Sequence, residues 1–167
     1  MKRILAIASI IEDAEAEHNY DLMEFVDIGP AARNPDNALL HPDIRDLCAV
    51  TNGMRCRGID VYGVDDVLER GLSYSTRLPG GPDAWQTVAD VIGLPFLLNR
   101  VDGTIWYPTV WNVHTFHEGP LQQVAPDLWS FVGWFVMGQG YLDIFSSPDE
   151  WTDFLQEHDL FGWENPE

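Results

Sequence analysis

The stretch from Pro95 to Tyr107 constrains the fold more than any other part of this chain. It reads Pro95-Phe-Leu-Leu-Asn-Arg-Val101, then Asp102-Gly103, then Thr104-Ile-Trp-Tyr107. Two apolar runs around an Asp-Gly pair are the strongest short-range cue for a β-hairpin, because that pair tolerates the positive φ angles of a tight turn. A hairpin here makes its two strands antiparallel. Parallel strands would need a helical crossover between them, and the sequence leaves no room for one.

Around this hairpin the patterning gives helices, then strands, then helices. Residues 3–25 are expected to be helical, with Ile4, Ile7, Ile11, Leu22 and Phe25 near a 3.6-residue period, although the acidic stretch Glu12–Glu17 interrupts the apolar face. Gly29-Pro30 stops that helix, and Asn34-Pro35-Asp36-Asn37 reads as a connector. A second helix is expected from Pro42 to Val50, with Ile44, Leu47 and Cys48 on one face and Asn52-Gly53 ending it. Ile59–Tyr62 reads as a short strand, and Val64–Arg70 as a helix with Asp65 and Asp66 in its first turn. Residues 71–84, with Gly71 and Pro79-Gly80-Gly81-Pro82, read as an exposed loop. Trp85–Ile92 reads as a strand or a helix, and Val110–Phe116 as a further strand. Pro126 opens a helix carrying Leu128, Phe131, Val132, Phe135 and Val136, closed by Gly138 and Gly140. Ser147 is expected to cap a last helix that turns Trp151, Phe154 and Leu155 inward. The fold class expected is α+β: a central antiparallel sheet, a meander with the 95–107 hairpin, flanked by N-terminal and C-terminal helices.

Length and charge bound the function. At 167 residues the chain fits one domain, and seven Trp, eight Phe and five Tyr supply enough apolar area for a core without staples or metals. Nine basic residues stand against 27 acidic ones, a net charge of −18. Lys2 is the only lysine, and no Lys or Arg follows Arg100. Such a field repels nucleic acid and anionic lipid and attracts basic proteins, raising their association rates by roughly 10–10³-fold. Acidity of this kind also arises from solubility alone. The opening MKRILAIASIIEDAEAE imitates a signal peptide, but its apolar run meets acids and lacks a small-residue cleavage site, so it is read as part of the domain. No stretch approaches the roughly 20 apolar residues of a membrane span. A cytoplasmic location is expected.

Chemistry is sparse. Cys48 and Cys56 match neither a zinc nor a redox spacing and are expected to be buried free thiols rather than a disulfide. His114, His117 and Glu118 form HxxHE, not the i, i+4 pair that puts two imidazoles on one side of a helix, so they are read as surface or cap residues. Gly80-Gly81 lacks a following Lys and is a turn. Ser73 and Ser75 lack nucleophile-elbow glycines. Trp106, Tyr107 and Trp111 offer either core packing or a stacking platform; adjacency on a strand sends Trp106 and Tyr107 to opposite faces. No metal, cofactor or catalytic role is expected.

In order along the chain, Leu47-Cys-Ala-Val-Thr-Asn-Gly53, Gly58-Ile-Asp-Val-Tyr-Gly63 leading into the acidic Val64–Glu69 helix, Val91-Ile-Gly93, the Phe96–Tyr107 hairpin and Ala125–Trp134 resemble the SUKH superfamily. The resemblance covers roughly residues 40–137, leaving an N-terminal helical segment 1–39 and an acidic C-terminal helical extension 138–167 in one domain. His41-Pro42 stands where the family has Leu-Pro, and Gly93-Leu-Pro95 replaces its glycine-rich stretch. The resemblance implies an immunity protein of a polymorphic toxin system, a stoichiometric inhibitor in place of an enzyme. Charge adds the expectation that the cognate toxin has a basic, nucleic-acid-binding face. The alternatives are a regulatory or scaffold domain of the same fold, or an acidic DNA mimic. The expected contact residues are acids at element ends near the sheet: Asp65, Asp66, Glu69, Asp102 and Asp143.

Overall fold

The computed structural model describes Ser9, Asp13 and residues 26–109 and 120–159. Apart from Ser9 and Asp13, the helix expected over residues 3–25 lies outside the described residues, as do the strand expected over Val110–Phe116 and the HxxHE segment.

The described residues form an α+β fold around one antiparallel sheet. Its strands are β1 (Val26–Ile28), β2 (Met54–Cys56), β3 (Ile59–Val61), β4 (Trp85–Val91), β5 (Leu94–Asn99), β6 (Ile105–Pro108) and β7 (Leu121–Ala125). Each strand pairs with its neighbours in sequence, so the order β1 to β7 is an unbroken meander. The helices are α1 (Pro42–Cys48), α2 (Val64–Ser75), α3 (Gly81–Ala84), α4 (Leu128–Phe131), α5 (Gly140–Phe145) and α6 (Glu150–Glu157). A π-helical turn, Val132–Val136, continues α4.

Turn chemistry explains the meander. Ile92 and Gly93 join β4 to β5 with φ of 52° and 82°, the double positive φ that a two-residue hairpin requires. The 95–107 hairpin is present, but its loop is longer than a bare Asp-Gly turn. Arg100 to Gly103 bridge the strands, closed by hydrogen bonds from the Asn99 amide to the Thr104 carbonyl (2.9 Å) and from the Gly103 amide to the Asn99 carbonyl (2.8 Å).

Register decides the core. Val26, Cys56, Ile59 and Val91 lie side by side across β1–β4, and Met54, Val61, Ala89 and Phe96 across β2–β5. These residues join Ile44, Leu47 and Cys48 of α1, Phe131, the π-turn and α6 in one buried cluster. Trp151, Phe154 and Leu155 are buried, as their spacing predicts, and the Trp151 indole N–H donates to the Val136 carbonyl at 2.7 Å. Cys48 and Cys56 are both free and buried.

Several elements differ from the sequence expectation. The helix expected to stop at Arg70 runs on to Ser75, and Gly71 sits within it. A side chain at Gly71 would bring a Cβ within 3.0 Å of the Thr87 carbonyl, so glycine lets α2 lie against β4 where the helix pattern alone reads a break. Residues 81–84 form α3 in place of loop. The last helix is capped by Asp149, not Ser147: Asp149 accepts from the Trp151 and Thr152 amides, and the Thr152 hydroxyl side closes a capping box. The Pro126 helix begins two residues later, with Asp127 accepting from the Ser130 amide at 2.6 Å.

Candidate functional site

On the face of β1–β4 away from the core, the register sets Asp27 beside Arg55, Arg55 beside Asp60, and Asp60 beside Asp90. Strand alternation forces this, since each of these residues lies between two core-facing neighbours. The Arg55 Nε donates to Asp60 Oδ1 at 2.9 Å, which holds the guanidinium firmly protonated. The Asp27 carboxylate makes no ion pair or hydrogen bond among the described residues.

Helix α2 borders this row. Its start is set by Gly63, whose missing Cβ would otherwise lie 2.5 Å from the Asn52 carbonyl. Asp66 and Arg70 sit one turn apart, with Arg70 Nη1 3.5 Å from Asp66 Oδ1. The Arg70 guanidinium lies over the Tyr62 ring, 4.9 Å from its centroid. Tyr62 is 2% exposed, and its hydroxyl is buried without a hydrogen-bond partner. Burial, above all, raises the Tyr62 pKa, with Asp90, Tyr74 and Asp66 adding to it and Arg70 opposing them. Asp27, Arg55, Asp60, Tyr62, Asp66 and Arg70 line one polar cleft of about 150 Å³.

Of the five acids expected at the contact surface, Asp65, Asp66 and Glu69 come together on α2. Asp65 lines a different hollow from Asp66, beside the segment from Pro30 to Asn37. Asp102 lies apart in the β5–β6 loop, where it accepts from the Thr104 hydroxyl (2.6 Å) and amide (3.1 Å). Those hydrogen bonds lower its pKa. Its neighbour Gly103 lies against His41 and Asp43 at the start of α1. Asp143 is exposed on α5, which packs on the π-turn.

Asp27, Asp60, Asp90 and Tyr62 were not anticipated. The alternation Ile59-Asp60-Val61-Tyr62 already puts Asp60 and Tyr62 on one face, but only the register reveals Asp27 and Asp90 beside them. Trp106 and Tyr107 do face opposite ways. Trp106 stands edge-on to Trp85 at 6.3 Å, whereas Tyr107 stacks on the core residue Phe96 at 5.7 Å. Trp111 lies outside the described residues. Among the described residues no group of three or more His, Cys, Asp or Glu is placed to hold a metal ion, and no helix is long and apolar enough to cross a membrane.

No protein-family model matches the chain, and no curated protein matches it.

Proposed function

We propose that this chain is a non-catalytic inhibitor of the immunity-protein type, binding a bacterial toxin domain through the toxin's basic, nucleic-acid-binding face. The observation that carries the reading is the acidic row Asp27, Asp60 and Asp90, laid side by side with Arg55 across four strands, with Asp66 of α2 lining the same cleft as Asp27 and Asp60. On a chain of net charge −18, that surface favours a cationic partner and disfavours nucleic acid or anionic lipid.

The reading includes membership of the SUKH superfamily, a sheet flanked by helices from both ends of the chain, and a cytoplasmic location. It is supported by the way the resembling segments use each other. Asn52 and Gly53 from the first meet Val61 and Gly63 from the second at the start of α2, so these residue types answer to one packing requirement.

The test is co-purification with the product of the neighbouring gene, followed by association rates over a salt series. A one-to-one complex that forms more slowly as salt rises, and that protects cells from that product, is expected. Absence of both complex and protection would remove the immunity reading against that protein.

A further inference from the structure

We infer that the cleft between β1–β3 and α2 seats an arginine or lysine side chain of the partner, with Tyr62 and Asp27 receiving its N–H groups. The inference rests on the protein-binding reading above and says where the partner's charge goes.

Hydrogen-bond accounting within the cleft leads to this occupant. Arg55 is engaged with Asp60, and Arg70 reaches Asp66 while covering the Tyr62 ring. Two groups are left over. The Tyr62 hydroxyl is buried with no partner, a condition that native interiors rarely leave uncorrected. Asp27 is a carboxylate without an ion pair or hydrogen bond among the described residues. A carboxylate only accepts, and a phenol accepts as readily as it donates. A group that satisfies both must therefore bring hydrogen-bond donors. Three aspartates against two arginines line the cleft, with Asp90 next to Asp60, so the donor that fits is cationic. An anion would face Asp27, Asp60 and Asp66 at once. Arg70 lies over the Tyr62 ring, but its side chain is 53% exposed and its contact with Asp66 is long, so it can swing aside for an incoming cation.

The experiment titrates the isotope-labelled full chain with a hexa-arginine peptide, and separately with agmatine, following backbone amide resonances. Tyr62→Phe keeps the ring under Arg70 and removes only the hydroxyl; because that hydroxyl is unpaired, the variant should fold at least as well as the parent. Saturable shifts centred on Asn52, Gly53, Arg55 and Arg70 are expected with the peptide. Its affinity should fall about tenfold in Tyr62→Phe and in Asp27→Asn, and stay unchanged in Glu157→Gln, exposed at the end of α6. Shifts spread over every acidic surface, with Tyr62→Phe binding like the parent, would overturn the proposal. Agmatine binding as tightly as the peptide would also overturn it, assigning the cleft to a small free amine. No toxin enters this titration, so its failure leaves the inhibitor reading to the co-purification. A failed co-purification beside a Tyr62-dependent titration removes that reading and keeps the cation seat.

Discussion

Asn52 caps a helix to which it does not belong: its Oδ1 accepts the amide of Val64, the first residue of α2, at 2.9 Å. The residue at the cap position itself, Gly63, has no side chain with which to do so. Nor can it have one, since a Cβ there would lie 2.5 Å from the Asn52 carbonyl and 2.7 Å from the Asn52 Oδ1. Cap and glycine are thus one device, built from two segments. Asn52→Ala should cost about 1 kcal/mol, the usual value of a lost cap acceptor. Gly63→Ala should cost more, because backbone must move. Urea unfolding of both variants measures the two losses, and a Gly63→Ala protein as stable as the parent would contradict the packing described.

What was legible in the sequence follows from how local each cause is. The β5–β6 hairpin, α1 and the inward face of α6 depend on residues a few positions apart, and their patterns survive in the chain. Strands β1 and β2 have three residues each, too few for alternation to stand out. Gly71 reads as a helix end because the reason for it, the Thr87 carbonyl, lies in a strand formed later in the chain. The site divides in the same way. Asp65, Asp66 and Glu69 could be placed on one helix from spacing alone. The row Asp27, Asp60 and Asp90 is a product of strand register, which no single segment encodes.

Trp151 ties the last helix to the π-turn. Its side chain is 1% exposed, and its indole N–H serves the Val136 carbonyl, whose π-helical surroundings lack the ordinary ladder. Trp151→Ala should cost about 3–5 kcal/mol, in the range for emptying a large aromatic site. Trp151→Phe should cost less, exposing chiefly the unpaired carbonyl. Thermal and urea denaturation of the two variants would separate cavity from hydrogen bond. A Trp151→Phe protein as stable as the parent would show that the carbonyl finds another donor.

The two thiols should be chemically silent in the native state. Burial pushes the Cys48 thiol up to about 11 and the Cys56 thiol further up, so neither offers thiolate at neutral pH. Treatment with a thiol-reactive disulfide reagent at pH 8 should release no chromophore until denaturant is added, and then release two equivalents. Rapid labelling of Cys48 alone in the native protein would reveal opening of α1 independent of the sheet.

His41 should make stability fall in mild acid. Its Nδ1 accepts the Asp43 amide at 3.3 Å as the cap of α1, a role that needs the unprotonated ring. Burial lowers its pKa from the ordinary 6.5, with Arg100 and Arg45 in the same direction and Asp43 and Asp102 against. The unfolded chain therefore takes the proton first. The stabilising contribution is complete above about pH 6.5 and is lost as pH falls towards the folded value. Asp43, whose pKa burial raises, acts oppositely at lower pH, where the folded chain is protonated first. His41→Asn supplies a non-titrating cap acceptor. Urea midpoints at pH 7.5 and 5.5 should differ less in that variant than in the parent. Equal differences would mean the drop comes from other groups.

Reversing the α2 acids should slow capture of a basic partner. Asp65 and Glu69 are exposed one turn apart, and Asp66 between them reaches the cleft. A triple Asp65→Lys, Asp66→Lys, Glu69→Lys variant shifts local charge by six units. It also places cations at the positive end of α2, at a cost of about 0.3–1 kcal/mol per site, so its melting point must be checked beside its kinetics. With the fold intact, the association rate at low salt should drop roughly tenfold or more, and its dependence on ionic strength should flatten. Asp143→Asn, on a separate element, should leave both unchanged. Asp102→Asn should do the same, since the amide oxygen can still accept from Thr104 and hold the loop. If the triple variant associates as fast as the parent at low salt, α2 is outside the contact surface and steering comes from elsewhere on the chain.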